Sequence, residues 1–276
     1  MTDFSFAQRR AFILLLLSIL SMSTARAQDV GRFDWELGAS LAALSVPLYA
    51  GSAQSRAYFL PLPYGKLHSD VLIVDDGVRA KLFGVETLRL SLSADFGVPV
   101  SSEDSVARAG MPDLDTVLQL GPLLEFGLDG SETRPRQWKL ELPLRLAFAT
   151  DFESAENLGW IAEPRLSYQR RRLHGSGFAW QMTAGLRFAS AAYHDYYYAV
   201  PAEYVSSART GFDASGGYSG MFADVLASWR QRDVIFWALL RYQNLSAAVF
   251  EDSPLVERKD YYFVGAGITW VLWQNR

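Results

Sequence analysis

Three consecutive residues, His68, Ser69 and Asp70, supply the types of a hydrolase triad: a base, a nucleophilic hydroxyl and an orienting carboxylate. Their spacing works against that chemistry. Neighbours in a strand point to opposite faces, so Ser69 turns away from His68 and Asp70 unless other strands supply partners. His194-Asp195 lies in a long connection and reads as a polar pair on the surface rather than as metal ligands. Arg170-Arg171-Arg172 with His174 could meet an acidic partner or glycan strand; a solvated turn touching lipid phosphates is the simpler reading. Tyr193, Tyr196, Tyr197, Tyr198 and Tyr204, near Pro201, leave two readings open. They are an exposed aromatic binding surface, or else they extend the flanking strands or fold into a barrel mouth as a plug.

Composition narrows the classes. The chain has 276 residues, half of them apolar, and a formal charge of −4, which opposes nucleic-acid binding because that calls for a basic stripe. With no cysteine, disulfides, thiolate metal sites and cysteine nucleophiles are excluded. His68, His174 and His194 are the only histidines, too few and too scattered for a multi-histidine metal centre. No catalytic residue, cofactor or metal is assigned, and the chain is not expected to be an enzyme.

The amino terminus carries an export address. Arg9-Arg10, the apolar run Ala11–Leu20 and the small-residue end Ala25-Arg26-Ala27 describe a signal peptide over residues 1–27, leaving a domain over 28–276. The apolar run is shorter than the roughly 20 residues needed to cross a bilayer as a helix. The twin arginine is coincidental to this reading, because a barrel crosses the inner membrane unfolded.

Beyond residue 28 the dominant signal is alternation with a period of two. Trp138, Leu140, Leu142, Leu144, Leu146 and Phe148 oppose Lys139, Glu141, Pro143, Arg145 and Ala147. The same holds for Leu88–Phe96, Trp160–Tyr168 and Phe178–Phe188. Such runs have one greasy and one polar face, and their length of about ten residues suits a tilted transmembrane strand better than a sandwich strand. The polar face collects Glu36, Arg89, Asp95, Glu125, Lys139, Glu141, Arg145, Glu163, Arg165, Arg187, Asp224, Arg230 and Arg241, with both signs present. The expected fold is an all-β, closed, antiparallel up-and-down transmembrane barrel.

Strands are predicted at 33–46, 57–67, 85–96, 114–128, 136–150, 159–171, 177–192, 217–230, 234–245 and 258–272, with a short pair split by Asp75-Asp76-Gly77. That totals about 12, or 10 if the short pair is absorbed elsewhere. Short turns near 129–136, 170–177 and 231–233 then share one side, and long loops near 97–113, 151–158, 193–216 and 246–257 the other. The last strand, from Tyr262 through Gly265 and Gly267 to Leu272, resembles a carboxyl-terminal barrel-assembly signal, although Trp273-Gln274-Asn275-Arg276 follow where a terminal aromatic is usual.

Several blocks point further. Val46-Pro47-Leu48-Tyr49-Ala50-Gly51-Ser52 precedes the proline-rich Leu60-Pro61-Leu62-Pro63-Tyr64. Asp113-Leu114-Asp115-Thr116-Val117 leads to Gly121, Tyr197-Tyr198-Ala199-Val200-Pro201 to Gly216-Gly217-Tyr218, and Asp252-Ser253-Pro254-Leu255-Val256 to the final strand. In order and spacing the chain resembles the MipA/OmpV family of MltA-interacting proteins over its mature length. Tyr198 stands where that family usually has phenylalanine, and Ala199 where it has glycine.

The resemblance implies an outer-membrane barrel of a Gram-negative cell and brings no catalytic residues. It also implies a scaffold that joins a lytic transglycosylase to a murein synthase, or else a porin-like channel or adhesin. The partners expected are outer-membrane lipid and lipopolysaccharide, the barrel-assembly machinery and those murein enzymes, with no nucleic acid. An esterase would instead need Ser69 and His68.

Overall fold

A computed structural model of the chain describes residues 34–68, 72–74, 78–85, 87–129, 136–170 and 177–275. The signal-peptide reading, Ser69 and Asp70 of the triad reading, the Asp75-Asp76-Gly77 turn, and Arg171, Arg172 and His174 of the basic turn lie outside the described residues.

The strands are β1 (Asp34–Pro47), β2 (Ser55–His68), β3 (Leu72–Val74), β4 (Val78–Val85), β5 (Leu88–Gly97), β6 (Thr116–Gly127), β7 (Arg136–Thr150), β8 (Ala155–Ala162), β9 (Arg165–Arg170), β10 (Gly177–Ala189), β11 (Gly217–Gln231), β12 (Val234–Asn244) and β13 (Asp260–Asn275). One helix, α1 (Ala191–Tyr198), lies between β10 and β11. All 13 strands belong to one antiparallel sheet. From β1 to β7 and from β10 to β13 each strand pairs with its chain neighbour. The last strand also pairs with the first, from Trp35↔Asn275 to Ser45↔Val264.

Between β7 and β10 the position is shared. β8 and β9 both pair with β7 and with β10, so they are two halves of one extended segment. Pro164, which has no N–H to give a ladder, lies in the interruption. Hydrogen bonds still cross it: Glu163 donates its backbone N–H to Pro143 (3.2 Å) and the Pro164 carbonyl accepts from Leu186 (3.0 Å). The predicted strand at 159–171 therefore starts earlier and is interrupted. The predicted strand at 177–192 stops at Ala189, because α1 follows.

The two faces of the sheet are inverted relative to a soluble protein. In β7, Leu144 and Leu146 are 49% and 51% exposed, whereas Arg145 between them is 4% exposed. The same face carries exposed Leu41, Phe59, Phe96, Leu120, Met182, Val225, Leu240 and Val264. The opposite face buries Ser91, Ser93, Glu125, Glu141, Glu163, Ser167, Thr183, Arg230 and Thr269.

Buried charge is tolerable only when paired, and here it is paired in the combinations the alternation put on one face. Glu163 accepts from Arg145 and from Arg187 Nε (2.7 Å). Glu141 Oε2 accepts from Arg165 Nε and Ser167 Oγ, both at 2.9 Å. Arg230 Nη1 reaches both Glu36 oxygens at 2.8 and 2.7 Å, and Arg241 Nη2 donates to Asp224 Oδ1 at 2.9 Å.

Because Glu163 serves two arginines across the β8–β9 interruption, Glu163→Gln takes the carboxylate from Arg187 and leaves Arg145 only that of Asp95, at 3.6 Å, among the described residues. It is expected to cost about 3–5 kcal/mol in urea unfolding of the detergent-solubilised protein. Leu144→Val on the exposed face should stay within about 0.5 kcal/mol of wild type.

Candidate functional site

The long connections all leave from one end of the sheet, and there they pack into a cap with an apolar core of its own. Its centre is α1, an eight-residue helix that starts after Ser190. Ser190 fixes its entry: the Oγ donates to the Leu158 carbonyl (2.8 Å) and accepts from the Trp160 N–H (3.1 Å), tying the helix start to β8.

Residues four apart share a helix face, and α1 uses this twice. Tyr193 and Tyr197, rings 5.0 Å apart, pack with Tyr196 on Val117, Ala147, Leu158 and Ile161 of β6, β7 and β8. His194 and Tyr198 turn the other way. The Tyr198 ring stacks on Phe250 at 3.7 Å and 6°, among Tyr49, Val100, Leu114 and Leu245. The helix thus bridges walls built from opposite parts of the chain.

Hydrogen bonds lock the contributing loops together. Tyr198 Oη donates to the Ala50 carbonyl (2.9 Å), and Ser253 Oγ donates to the Tyr198 carbonyl (2.7 Å). Tyr49 Oη donates to the Leu255 carbonyl (2.8 Å), and Tyr196 Oη accepts from the Asp115 N–H (2.6 Å). Arg108, 3% exposed, gives Nη1 to the Tyr197 carbonyl and Nη2 to the Pro112 carbonyl at 3.0 and 3.1 Å. Its charge falls on the carboxyl end of α1, where the helix dipole is negative. Burial nevertheless pulls its pKa below the usual arginine value.

The tyrosines neither extend the flanking strands nor form a fully exposed surface: they lie on α1 or pack beside it, with Tyr198 buried and Tyr193, Tyr196 and Tyr197 half-buried. The reading of His194-Asp195 as a polar surface pair is corrected. His194 is 0% exposed. A carbonyl can only accept, so Nδ1–H donates to Ser215 O (2.6 Å) and Nε2 accepts from Ser219 Oγ (2.7 Å). Asp195 is exposed and its carboxylate accepts the Ala214 N–H at 2.9 Å. His68 ends β2 and Arg170 ends β9, so the sequence candidates do not converge on one place. Sequence reasoning missed the helix, although the tyrosine and histidine pairs at i, i+4 carried its signal.

Burial lowers the His194 pKa from its ordinary value, a shift only partly offset by the Ser215 bond. The histidine is neutral in the folded cap, and the loosened cap takes up the proton first.

A family model described as "MltA-interacting protein MipA" matches residues 38–272. Among solved structures, the chain is similar to the translocator domain of the autotransporter NalP from Neisseria meningitidis, at 10% identity and a TM-score of 0.39, over 96% of each chain. No curated protein matches it.

Two predictions follow from the cap geometry. Phe250→Ala should cost the cap about 3 kcal/mol and open residues 190–216 to limited proteolysis, leaving the strands protected. Cap stability should be complete above the ordinary histidine pKa of 6.5 and fall as the pH drops through and below it. Hydrogen exchange of 190–216 measured between about pH 7.5 and 5 reads this, and His194→Gln should flatten the profile.

Proposed function

The chain belongs to the MipA family, and from that premise we propose a closed outer-membrane barrel that acts, without catalysis, as a scaffold for peptidoglycan-remodelling enzymes. Counting β8 and β9 as one position turns 13 strands into 12. Pairing of β13 with β1 and of β10 with β11 leaves none of these positions an edge. The exposed leucine rows then face hydrocarbon, and the ion pairs face the lumen. The capped end lies outside the cell, and the short turns, including the two-residue Arg232-Asp233 hairpin, face the periplasm.

The scaffold reading draws on the family's name, which speaks of interaction with MltA, and on one structural observation. The tyrosine cap packs over the end of the sheet that becomes the mouth in a closed barrel, which supports a role other than an open pore. A murein synthase and a lytic transglycosylase would dock on the periplasmic turns. The adhesin alternative rests on the outer surface of the cap, where Glu103, Asp104, Asp113, Asp151, Glu153 and Glu156 are exposed.

Crosslinking in intact envelopes should capture murein enzymes on the turn side; capture of none, with host-surface binding retained, would favour the adhesin. Purified protein in planar bilayers should be electrically silent. Deleting residues 191–212 should produce steady conductance, whereas conductance by the unaltered protein would sink the plug.

A further inference from the structure

The ion-paired face is not uniform around the sheet. From β6 to the β8–β9 break it carries a buried cluster, with Glu125, Glu141, Arg145 and Glu163 2–5% exposed, while Asp95, Arg165 and Arg187 beside it are partly open. From β11 through β13 to β2 the same face is apolar between the Arg241–Asp224 and Arg230–Glu36 pairs, with Leu44, Leu60, Leu226, Trp237, Leu239 and Phe263, and each of these is only half-buried. A lumen filled with water alone favours the reverse, wet charges and dry hydrocarbon.

The apolar strip has a definite shape. Leu239 pairs with Gly265 and Leu226, and Trp237 with Gly267 and Ser228. The Trp237 indole lies across the two glycines, where a Cβ at Gly267 would collide with its ring. From Leu239 to Ile235 the strip runs about 13 Å at ~3.3 Å per residue. Polar groups bound both ends. Towards the turns, Ser40 Oγ meets Thr269 Oγ1 at 2.6 Å, and beyond them Arg230 holds Glu36. Towards the cap stands Arg241, its guanidinium 4.9 Å from the Phe222 ring centre and its side chain 32% exposed. Nε and Nη2 of Arg241 both donate to Asp224 Oδ1, and Nη1 makes no hydrogen bond among the described residues. Arg187, 24% exposed, likewise spends Nε and Nη2 on Glu163 Oε1.

We propose that the lumen is a blind binding site for a medium-chain fatty acid, its tail on the Trp237–Leu239 strip and its carboxylate on Arg241 beneath the cap. The proposal rests on the closed-barrel reading, and entry is from the turn end. The apolar wall and a cation with a spare donor at its closed end are complementary to a single-chain anion, and to neither a neutral sugar nor a hydrated ion.

Trp237 provides the test, because it is the tryptophan on the ion-paired face. In nanodiscs, 11-bromoundecanoate should quench a saturable part of the emission. Trp237→Phe should abolish that part, and excess undecanoate should restore it in the unaltered protein, a readout that needs no variant. Arg241→Gln should weaken the saturable phase about tenfold, the worth of one charge-assisted hydrogen bond. Quenching that stays linear in the acid, equal in wild type and Trp237→Phe and not reversed by undecanoate, overturns the proposal. Brominated phospholipid in the disc should spare Trp237; if it quenches Trp237 like the outward tryptophans, the closed-barrel reading itself is wrong.

Discussion

The ladder between β1 and β13 is the interaction on which the rest depends. Each strand of a sheet carries a row of N–H and C=O groups on both edges, and an unpaired row buried away from water costs several kcal/mol per group. Without this ladder, β1 and β13 would each keep one bare edge, coated on one face by exposed leucine and tryptophan. With it, the register from Trp35↔Asn275 to Ser45↔Val264 satisfies both rows. The apolar face can then be exposed, because the peptide groups of β1 and β13 behind it are paired with each other.

That pairing also fixes what the polar face must do. Many side chains there are packed away from water, and arginine and glutamate are stable in such surroundings only as hydrogen-bonded sets. The set around Glu163 is instructive. It sits where Pro164 interrupts a strand, so Arg145 from β7 and Arg187 from β10 hold together across a gap that the backbone ladder covers only in part. The charges hold the sheet together where its hydrogen-bond ladder is interrupted.

Much of this was legible in the residues. The alternation in 136–150 gave β7 with its bounds, and the list of charged positions on one face contained both members of the ion pairs Glu36–Arg230, Asp95–Arg145, Glu141–Arg165, Arg145–Glu163, Arg187–Glu163 and Arg241–Asp224. A period of two survives any local detail, which is why it reads so well. The cap was legible only in part. Its tyrosines were singled out, but aromatic residues favour strands on propensity alone, and a helix of eight residues is stabilised by what it touches rather than by its own sequence. His194 was read as exposed because a histidine beside an aspartate in a long connection says nothing of the phenylalanine 56 positions later that covers it. The break at Glu163-Pro164 was hidden because the phase of alternation continues straight through it.

The bond from Tyr49 to the Leu255 carbonyl joins residues 206 apart in sequence, and it implies an order in time. Closing so long a loop from an open chain is entropically costly and slow. Once β13 has zipped onto β1, the same two residues are already neighbours, and what remains is a short local search. Loop-closure entropy therefore favours one order: the β1–β13 ladder first, and after it the cap contacts that join Tyr49, Leu255 and α1.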